Sequence, residues 1–309
     1  MQRVLTTVTL LGLLVATAAA FAITEHLKLI RSPVYGTLVS KTLSPVCHCS
    51  GRTATVRFRL RHRDRVTVTI VDSADHKVAT LASDAPRPAR QADPFTWDGR
   101  TDGGQRAPDG VYKPWVHLAN ARRTFRLPNR IVLDTKAPKV LSASAAKPVL
   151  FVAPGRTVAI RYSFSDQAHA VIYLGRHRII RGHPSRVRDK VKWAGAIDGR
   201  PVPAGTYVLK VAAVDAAGNE TSPATRKPVT VLVRYIEIAP GRHTVPSGRR
   251  FTVHVETAAS RYTWRLGHRH GARHGKRLRL QAPSTPGTYH LVVAEHGHVA
   301  TALVRVHAK

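Results

Sequence analysis

From Trp97 to Tyr112 the chain reads WDGRTDGGQRAPDGVY. A second copy of this pattern runs from Trp193 to Tyr207 and reads WAGAIDGRPVPAGTY. A shortened third copy, PGTY, ends at Tyr289. The copies recur at intervals of about 80 to 95 residues, which is the length of a β-sandwich module and too long for a solenoid repeat. The sequence therefore predicts a tandem array of β-sandwiches.

The residues shared by the copies are those that a sandwich needs for a tight turn and a filled core. In every copy a glycine stands two residues before the tyrosine, and proline and glycine together are typical of a turn. Asp98 of the first copy is replaced by Ala194 in the second. We therefore interpret Asp98 and Asp102 as turn residues rather than as calcium ligands. The predicted structural signature consists of Trp97, Gly110, Tyr112, Trp193, Gly205, Tyr207, Gly287 and Tyr289.

Alternating apolar and polar residues predict strands around each signature. Val56, Phe58 and Leu60 alternate with arginines, which indicates a half-buried strand with a charged outer face. In the strand that starts at Val111, Pro114 predicts an edge position, because proline cannot donate to a ladder. Beyond the N-terminal segment no helical period extends over three turns. The fold class is therefore predicted to be all-β.

The predicted organisation is an N-terminal segment followed by three domains. The segment from Asp134 to Pro138 is typical of a stiff, extended connector and separates the first domain from the second. The third domain begins near Ile236. The predicted boundaries are 1–30 for the N-terminal segment and 31–135, 136–235 and 236–309 for the three domains.

The segment from Val4 to Thr24 is apolar and carries no charge. About 21 helical residues, at about 1.5 Å each, match the hydrocarbon core of a membrane, which is about 30 Å thick. This length predicts a single transmembrane helix as an uncleaved anchor. Small residues such as Ala18-Ala19-Ala20 also fit a signal-peptidase site, so a cleaved signal peptide is the alternative.

The two cysteines of the chain, Cys47 and Cys49, flank His48. One pair cannot cross-link three domains, and no second group of cysteines and histidines completes a zinc site at a familiar spacing. Three states stay open: a local or intermolecular disulfide, unpaired thiols, and a metal or redox role. We assign no functional site to this pair.

The signature resembles the immunoglobulin-like domain of the flagellar hook-capping protein, which also occurs at the ends of secreted subtilisin-type proteases and in many bacterial surface proteins. The first copy carries the full pattern Trp-Asp-Gly-Arg-x-Asp-x-Gly followed by Pro-x-Gly-x-Tyr, and the second copy departs from it at Ala194. The resemblance implies immunoglobulin-like sandwiches with Trp97 and Trp193 in their cores. It implies no flagellar role, because an apolar segment takes the place of the N-terminal assembly signal of the hook-capping protein.

The formal net charge is +31, and a field of this sign attracts polyanions such as nucleic acid, anionic wall polymers or acidic lipid headgroups. The alternative is a purely compositional preference for arginine at exposed strand positions. Aromatic residues make up 6% of the chain and mostly occupy inward strand positions, so base stacking and a specific nucleic-acid partner are not expected. The candidate polyanion contacts are Arg57, Arg59, Arg61, Arg265, Arg269, Arg273 and Arg277.

The sequence contains neither a Gly-x-Ser-x-Gly elbow nor a His-Glu-x-x-His helix, and it predicts a non-enzymatic protein without a cofactor or metal. Our leading hypothesis is a cell-envelope protein that crosses the cell membrane once, or is secreted if the N-terminal segment is cleaved. Its body would lie outside the cytoplasm as a scaffold, spacer or adhesion surface. Its partners would be the membrane, anionic wall polymers or other proteins. The alternative is a nonspecific polyanion-binding protein whose ligand is DNA or an anionic wall polymer.

Overall fold

The computed structural model describes residues 10–22 and 32–309. A helix, α1, occupies residues 10–22. Among the described residues, no helix has both the length and the apolar character needed to cross a membrane. The membrane span predicted from Val4 to Thr24 extends at both ends beyond the described residues and stays a prediction.

The rest of the described chain is all-β, as predicted, apart from short 3-10 turns at Ser50–Arg52 and Pro223–Thr225. It divides into two compact units, Met1–Thr135 and Lys136–Lys309. The first unit contains one set of strands around one hydrophobic core, and the second contains two such sets, each with its own core. We call the three sets the first, second and third sandwich. The domain boundaries at residues 135 and 235 stay predictions.

The first sandwich packs a sheet of order β1-β3-β6 against a sheet of order β2-β9-β7-β4-β5, with β8 added to β7. Val56 and Phe58 of one sheet meet Val68 and Val116 of the other in a shared core. The strands are β1 (Val34–Val39), β2 (Thr42–Leu43), β3 (Ala54–Leu60), β4 (Asp64–Val71), β5 (Lys77–Arg87), β6 (Phe95–Trp97), β7 (Gly110–Leu118), β8 (Arg123–Arg126) and β9 (Ile131–Leu133).

The second sandwich is built around one long strand, β12. Its first half pairs with β10 and β14, and its second half pairs with β13 and β17, so β12 belongs to both sheets. The strands are β10 (Val140–Ala145), β11 (Val149–Phe151), β12 (Val158–Leu174), β13 (His177–Arg181), β14 (Arg186–Trp193), β15 (Ala196–Ile197), β16 (Arg200–Pro201), β17 (Gly205–Val214) and β18 (Lys227–Arg234).

The third sandwich packs a sheet of order β19-β21-β24 against one of order β20-β26-β25-β22-β23. Val253, Tyr262, Leu278 and Leu291 lie in four different strands, and all four side chains are buried. The strands are β19 (Ile236–Ala239), β20 (Arg242–Pro246), β21 (Arg250–Thr257), β22 (Arg261–Leu266), β23 (Arg269–His274), β24 (Arg277–Gln281), β25 (Gly287–Glu295) and β26 (His298–His307).

The three sandwiches share one pairing order. In each, a short strand lies parallel to the last strand of the set: β2 beside β9, β11 beside β18, and β20 beside β26. The last strand in turn pairs antiparallel with the strand that carries the signature tyrosine, which is β7, β17 or β25. The third sandwich thus repeats the topology of the first, although its sequence keeps only Pro286, Gly287 and Tyr289 of the signature.

The edge position predicted from Pro114 is wrong, because β7 lies between β4 and β9. Pro114 faces Ile70 of β4, while on its other side β9 pairs only as far as Tyr112 and β8 begins at Trp115. The Pro114 carbonyl accepts a hydrogen bond from the Leu127 N–H at 3.0 Å on this second side. In an antiparallel strand the N–H and C=O of a residue point to the same side. The nitrogen of Pro114, which carries no hydrogen, therefore points to the gap between β9 and β8, and no ladder hydrogen bond is lost.

Candidate functional site

Each signature copy ends in the same local hydrogen bond. The tyrosine hydroxyl donates to the backbone carbonyl oxygen four residues earlier, which closes the turn before the strand. Such a tyrosine corner is a hallmark of immunoglobulin-like sandwiches. The bonds run from Tyr112 to Pro108 (2.6 Å), from Tyr207 to Pro203 (2.8 Å) and from Tyr289 to Thr285 (2.9 Å). The third copy therefore forms the same corner, even though its proline stands one residue later.

The two signature tryptophans occupy equivalent positions in the first two sandwiches. Trp97 and Trp193 are each 2% exposed. Each indole N–H donates to the carbonyl oxygen three residues later, at 2.7 Å in the first copy and 2.9 Å in the second. Each ring also meets the tyrosine of its own copy edge to face, with centroids 4.9 Å apart for Tyr112 and 5.8 Å for Tyr207. The signature thus joins a buried ring to a tight turn in both sandwiches.

The glycine two residues after each tryptophan is required for two separate reasons. Gly99 has φ +81° and Gly195 has φ +71°, both in the left-handed region that disfavours side chains. A Cβ at Gly99 would also lie 2.7 Å from Cγ of Pro45, and one at Gly195 would lie 2.9 Å from Cγ2 of Val152. No other residue fits these positions without displacing the core.

The aspartates of the first signature accept hydrogen bonds from backbone N–H groups. The Asp102 carboxylate accepts the Thr80 N–H at 2.6 Å and lies 3.1 Å from the Lys77 ammonium group. The backbone hydrogen bond from Thr80, followed by the Lys77 interaction, lowers the pKa of Asp102. Asp98 accepts the Arg100 N–H at 3.0 Å, as in an ordinary turn. In the part of the chain that the structure describes, no cluster of three or more possible metal ligands occurs.

The cysteines form a local disulfide between Cys47 and Cys49. Cys47 is buried, and the Cys49 sulfur accepts the Gly51 N–H at 3.3 Å, which caps the 3-10 turn Ser50–Arg52. Of the states left open by the sequence, the structure has the local disulfide. The disulfide is therefore a local cross-link within one loop.

The predicted arginines of the first sandwich lie along one side of β3. Arg57 and Arg59 are exposed and alternate with buried residues of that strand. Arg61 follows the strand, where its guanidinium group lies 4.8 Å from the ring centroid of Tyr35 and donates to the Ser32 carbonyl oxygen at 2.9 Å. Arg57 and Arg59 share one side of the strand, and Arg61 contacts the protein itself.

The predicted arginines of the third sandwich are spread over two sheets. Arg265 points outward from β22, while Arg269 and Arg273 of β23 lie opposite the buried Leu266 and Tyr262 and so point to the other side of their sheet. Arg277 belongs to β24 in the second sheet. All four of these arginines are exposed, but the structure does not gather them on one face.

A row of cations on β14 was not predicted. The strand reads RVRDKVKW, and a cation stands at every second position. That period of two, carried by arginine and lysine, is the signal that could have identified the row. The exposed cations are Arg186, Arg188, Lys190 and Lys192.

A cleft of about 1100 Å³ lies within the second unit, beside the single residue that separates β18 from β19. That residue, Tyr235, donates its hydroxyl to the Val202 carbonyl oxygen at 2.6 Å, and its ring stacks on His298 with centroids 3.5 Å apart. The Thr257 hydroxyl lies 2.9 Å from the Tyr235 carbonyl oxygen and also hydrogen-bonds the buried Glu295 carboxylate. Tyr235 is therefore held by the second and the third sandwich at once.

Comparisons with known proteins agree with this architecture for the first sandwich. Residues 44–121 match the family model of the FlgD Ig-like domain, which confirms the resemblance read from the first signature. No curated protein matches the chain.

Solved structures give distant matches along the chain. The I-band fragment I67–I69 of titin is 12% identical, covers 90% of this chain and 99% of its own, and has a TM-score of 0.31. The fibronectin(III)-like modules of CbhA from Clostridium thermocellum are 11% identical, cover 64% and 94%, and have a TM-score of 0.36. At these scores we base no argument on them.

Proposed function

We propose that this chain is a non-enzymatic cell-envelope protein whose three immunoglobulin-like domains, 31–135, 136–235 and 236–309, lie outside the membrane as a scaffold, spacer or adhesion surface. Residues 1–30 would anchor the chain, or would serve as a signal peptide and release it when cleaved. The body would then meet the envelope and its polymers. The joint at Tyr235 is the observation that carries this proposal.

A scaffold needs joints that keep neighbouring domains in a fixed relation, whereas ordinary linkers let domains move. Between β18 and β19 only Tyr235 is available, and its hydroxyl, carbonyl oxygen and ring are all engaged. The ring is also partly desolvated, and this burial raises the pKa of Tyr235. Such a joint suits a spacer better than a pair of freely swinging domains.

The disulfide between Cys47 and Cys49 supports a location outside the cytoplasm. Disulfides persist in oxidising compartments and are rare where thioredoxin and glutathione keep thiols reduced. The apolar N-terminal sequence supports the same location, since both an anchor and a signal peptide deliver the following chain to the membrane.

The topology is tested by adding protease to intact spheroplasts that express the full chain with a C-terminal tag. We expect the tagged body to be degraded, or to be found in the medium, while a cytosolic marker stays intact. Mass analysis of the N-terminus then separates an anchor from a cleaved signal. Protection of the tagged body together with the cytosolic marker would contradict the proposed location.

Polyanion binding is the second candidate function, and the row of exposed cations on β14 favours it. A polyanion binder loses affinity log-linearly with salt, whereas a scaffold that recognises a protein partner keeps that partner in moderate salt. The two candidates are compatible if the scaffold is held by an anionic polymer of the envelope.

A further inference from the structure

We propose that the outer face of the sheet β10-β12-β14 binds a linear phosphodiester polymer of the cell envelope whose repeating units carry no aromatic bases. This inference rests on the proposed function, because it takes the polymer from the outer side of the membrane. It goes beyond that function because it names the binding surface and the chemical class of the ligand. The ligand is a flexible chain of phosphodiester groups, recognised by cations and hydroxyl groups.

The register of the sheet places its cations on one face. Residues directly opposite each other in an antiparallel pair point to the same side. Lys190 lies opposite Arg161, and Arg188 lies opposite Ser163. Val191, which alternates with them, is buried in the core. The exposed cations of this face, called the β14 face from here on, are Arg161, Arg188, Lys190 and Lys192. Arg186 is also exposed, but it lies beyond a register shift and opposite the buried Ala168, so it is not counted in this face.

The geometry of the β14 face suits an extended polymer. Alternate residues of a strand recur about every 6.6 Å, so the row from Arg188 to Lys192 spans about 13 Å. Arg161 lies across the ladder from Lys190, at a Cβ separation of about 5 Å. Because β14 pairs only with β12 and ends the sheet, a polymer can run along the row and continue past it.

The cations of the β14 face are not neutralised by the protein. Within residues 10–22 and 32–309, none of the four forms an ion pair with a carboxylate. Asp189 lies on the opposite side of the strand, across from Tyr162, and its Oδ1 accepts the backbone N–H of Lys190 at 2.8 Å. The side-chain charges therefore stay available to replace the counterions of a polyanion, which is the main source of affinity for such ligands.

The neighbouring side chains are small and hydroxylated. Ser142 lies opposite Ser163, with their hydroxyl oxygens 2.6 Å apart, and Ser144 lies opposite Arg161. Binding of bases requires exposed aromatic rings. On the described β14 face there are none, because Tyr162 of β12 turns into the core. The face therefore fits a chain of phosphates and sugars or alditols rather than a chain of bases.

The test measures the affinity of the purified full chain, in non-ionic detergent, for fluorescent poly(glycerol phosphate). If four cations each meet one phosphate, the slope of log K against log salt is about −2.8, and affinity falls about 50-fold between about 50 and 200 mM salt. The face variant combines Arg188→Gln, Lys190→Gln and Lys192→Gln. The matched control removes the same charge from the first sandwich and combines Arg57→Gln, Arg59→Gln and Arg63→Gln.

We expect the slope of the face variant to be shallower by about 2, and that of the control to stay within about 1 of the wild type. A second variant, Arg161→Gln alone, changes the same face from β12 and is expected to reduce the slope by about 0.7. Equal losses in the face variant and the control, or an unchanged face variant, would overturn the proposal.

The choice of a base-free polymer is tested with a single-stranded oligonucleotide that carries the same number of phosphates. We expect the wild type to bind it no more tightly than poly(glycerol phosphate). Tighter binding of the oligonucleotide would overturn this choice.

Failure of this inference can be told apart from failure of the proposed function. The binding assay uses purified protein and does not depend on where the body lies in the cell. A body that is open to protease but does not bind the polymer overturns the inference alone. A body protected in spheroplasts contradicts the proposed function, whatever the binding assay gives.

Discussion

The cations of β3 and of β14 both stand at every second position of their strand, but their neighbours differ. On β3, Arg57 and Arg59 lie opposite Leu38 and Tyr35 of β1, and Arg61 stacks over the same tyrosine. On β14 the cations lie beside a further arginine and beside serines. Net charge and periodicity identify charged strands, and from the difference between their neighbours we expect the adjacent strand to decide which of them binds a polyanion.

The two units also differ in how they use their acidic residues. Aspartates of the first unit pair with many of its own cations, while in the second unit the described ion pairs lie away from β14, as in Arg226–Glu220 and Lys276–Glu256. In the first unit the pairs include Arg65–Asp84, Lys77–Asp102, Arg87–Asp93 and Arg126–Asp75.

The largest expected effect on stability comes from removing the indole ring of a signature tryptophan, Trp193 or Trp97. Trp193 closes β14, and Trp97 lies in β6 opposite Ala54 of β3. Trp193→Ala should lower the free energy of unfolding of the second sandwich by about 3–5 kcal/mol, and Trp97→Ala that of the first by a similar amount. Hydrogen exchange read by mass spectrometry measures each sandwich separately.

The control for the tryptophan variants is Val187→Ala, at a position 45% exposed on β14, which should change little. Loss of protection in both units from either tryptophan variant would show that the sandwiches do not have independent cores.

Alanine substitutions at two glycines of the second signature should have a smaller effect on stability, and comparing them distinguishes side-chain crowding from backbone strain. Gly195 and Gly199 both have positive φ, but only at Gly195 would a Cβ meet core atoms, while Gly199 faces open space. Gly199→Ala should cost about 1–2 kcal/mol from φ alone, and Gly195→Ala about 1–3 kcal/mol more. Urea unfolding followed by tryptophan fluorescence gives the order, and equal costs would refute the crowding.

The same pair of substitutions is available in the first signature, where Gly99 is crowded and Gly104 is open at nearly equal φ. We expect the same order there. A reversed order in one sandwich would show that the two signatures do not fold alike.

The tyrosine-corner hydrogen bonds of the first two sandwiches should contribute differently to stability, because the two tyrosines differ in burial. Tyr112 is 4% exposed, whereas Tyr207 is half-buried, although both hydroxyls donate to a carbonyl oxygen four residues earlier. Tyr112→Phe should cost about 1.5 kcal/mol and Tyr207→Phe about 0.5 kcal/mol, because a carbonyl deprived of its partner matters more where water is excluded. Hydrogen exchange of β7 and β17 measures both, and a larger loss at Tyr207 would contradict the ranking.

The smallest effect concerns pH and the first unit. The Thr80 N–H lowers the pKa of Asp102, so the ionised carboxylate stabilises the folded state above pH about 4 and this contribution is lost as pH falls further. Asp102→Asn should flatten the loss of stability of the first unit in acid. The second unit serves as the internal control, since its acid profile should not change in this variant.

Much of the fold could be predicted from local sequence. The signature predicted the tandem array, and the alternation of Val56, Phe58 and Leu60 predicted β3 with its buried face. Turn chemistry is equally local: the Asp72 carboxylate accepts the backbone N–H groups of Ala74 and His76, and the Asp215 carboxylate accepts that of Asn219. Such features depend on neighbours in sequence and are therefore visible without a structure.

Features that depend on distant pairing were not predicted. β12 continues through Ser165, Asp166 and Gln167, although the alternation of apolar and polar residues breaks there. At this point the strand passes from one sheet to the other. The interior position of Pro114 likewise depends on where β9 ends and β8 begins.

The isolation of the β14 cations from carboxylates is also a property of three-dimensional neighbours. It depends on which acidic side chains the fold brings near the strand, and the sequence does not show this.

The most direct test of the difference between β3 and β14 is a hydrogen-exchange footprint of the full chain with and without saturating poly(glycerol phosphate). We expect slower exchange in residues 186–193 and in the first half of β12, with residues 54–61 unchanged. Protection of residues 54–61 to the same extent, or of neither segment, would contradict the claim that the neighbours of a charged strand, rather than its charge, decide where the polymer binds.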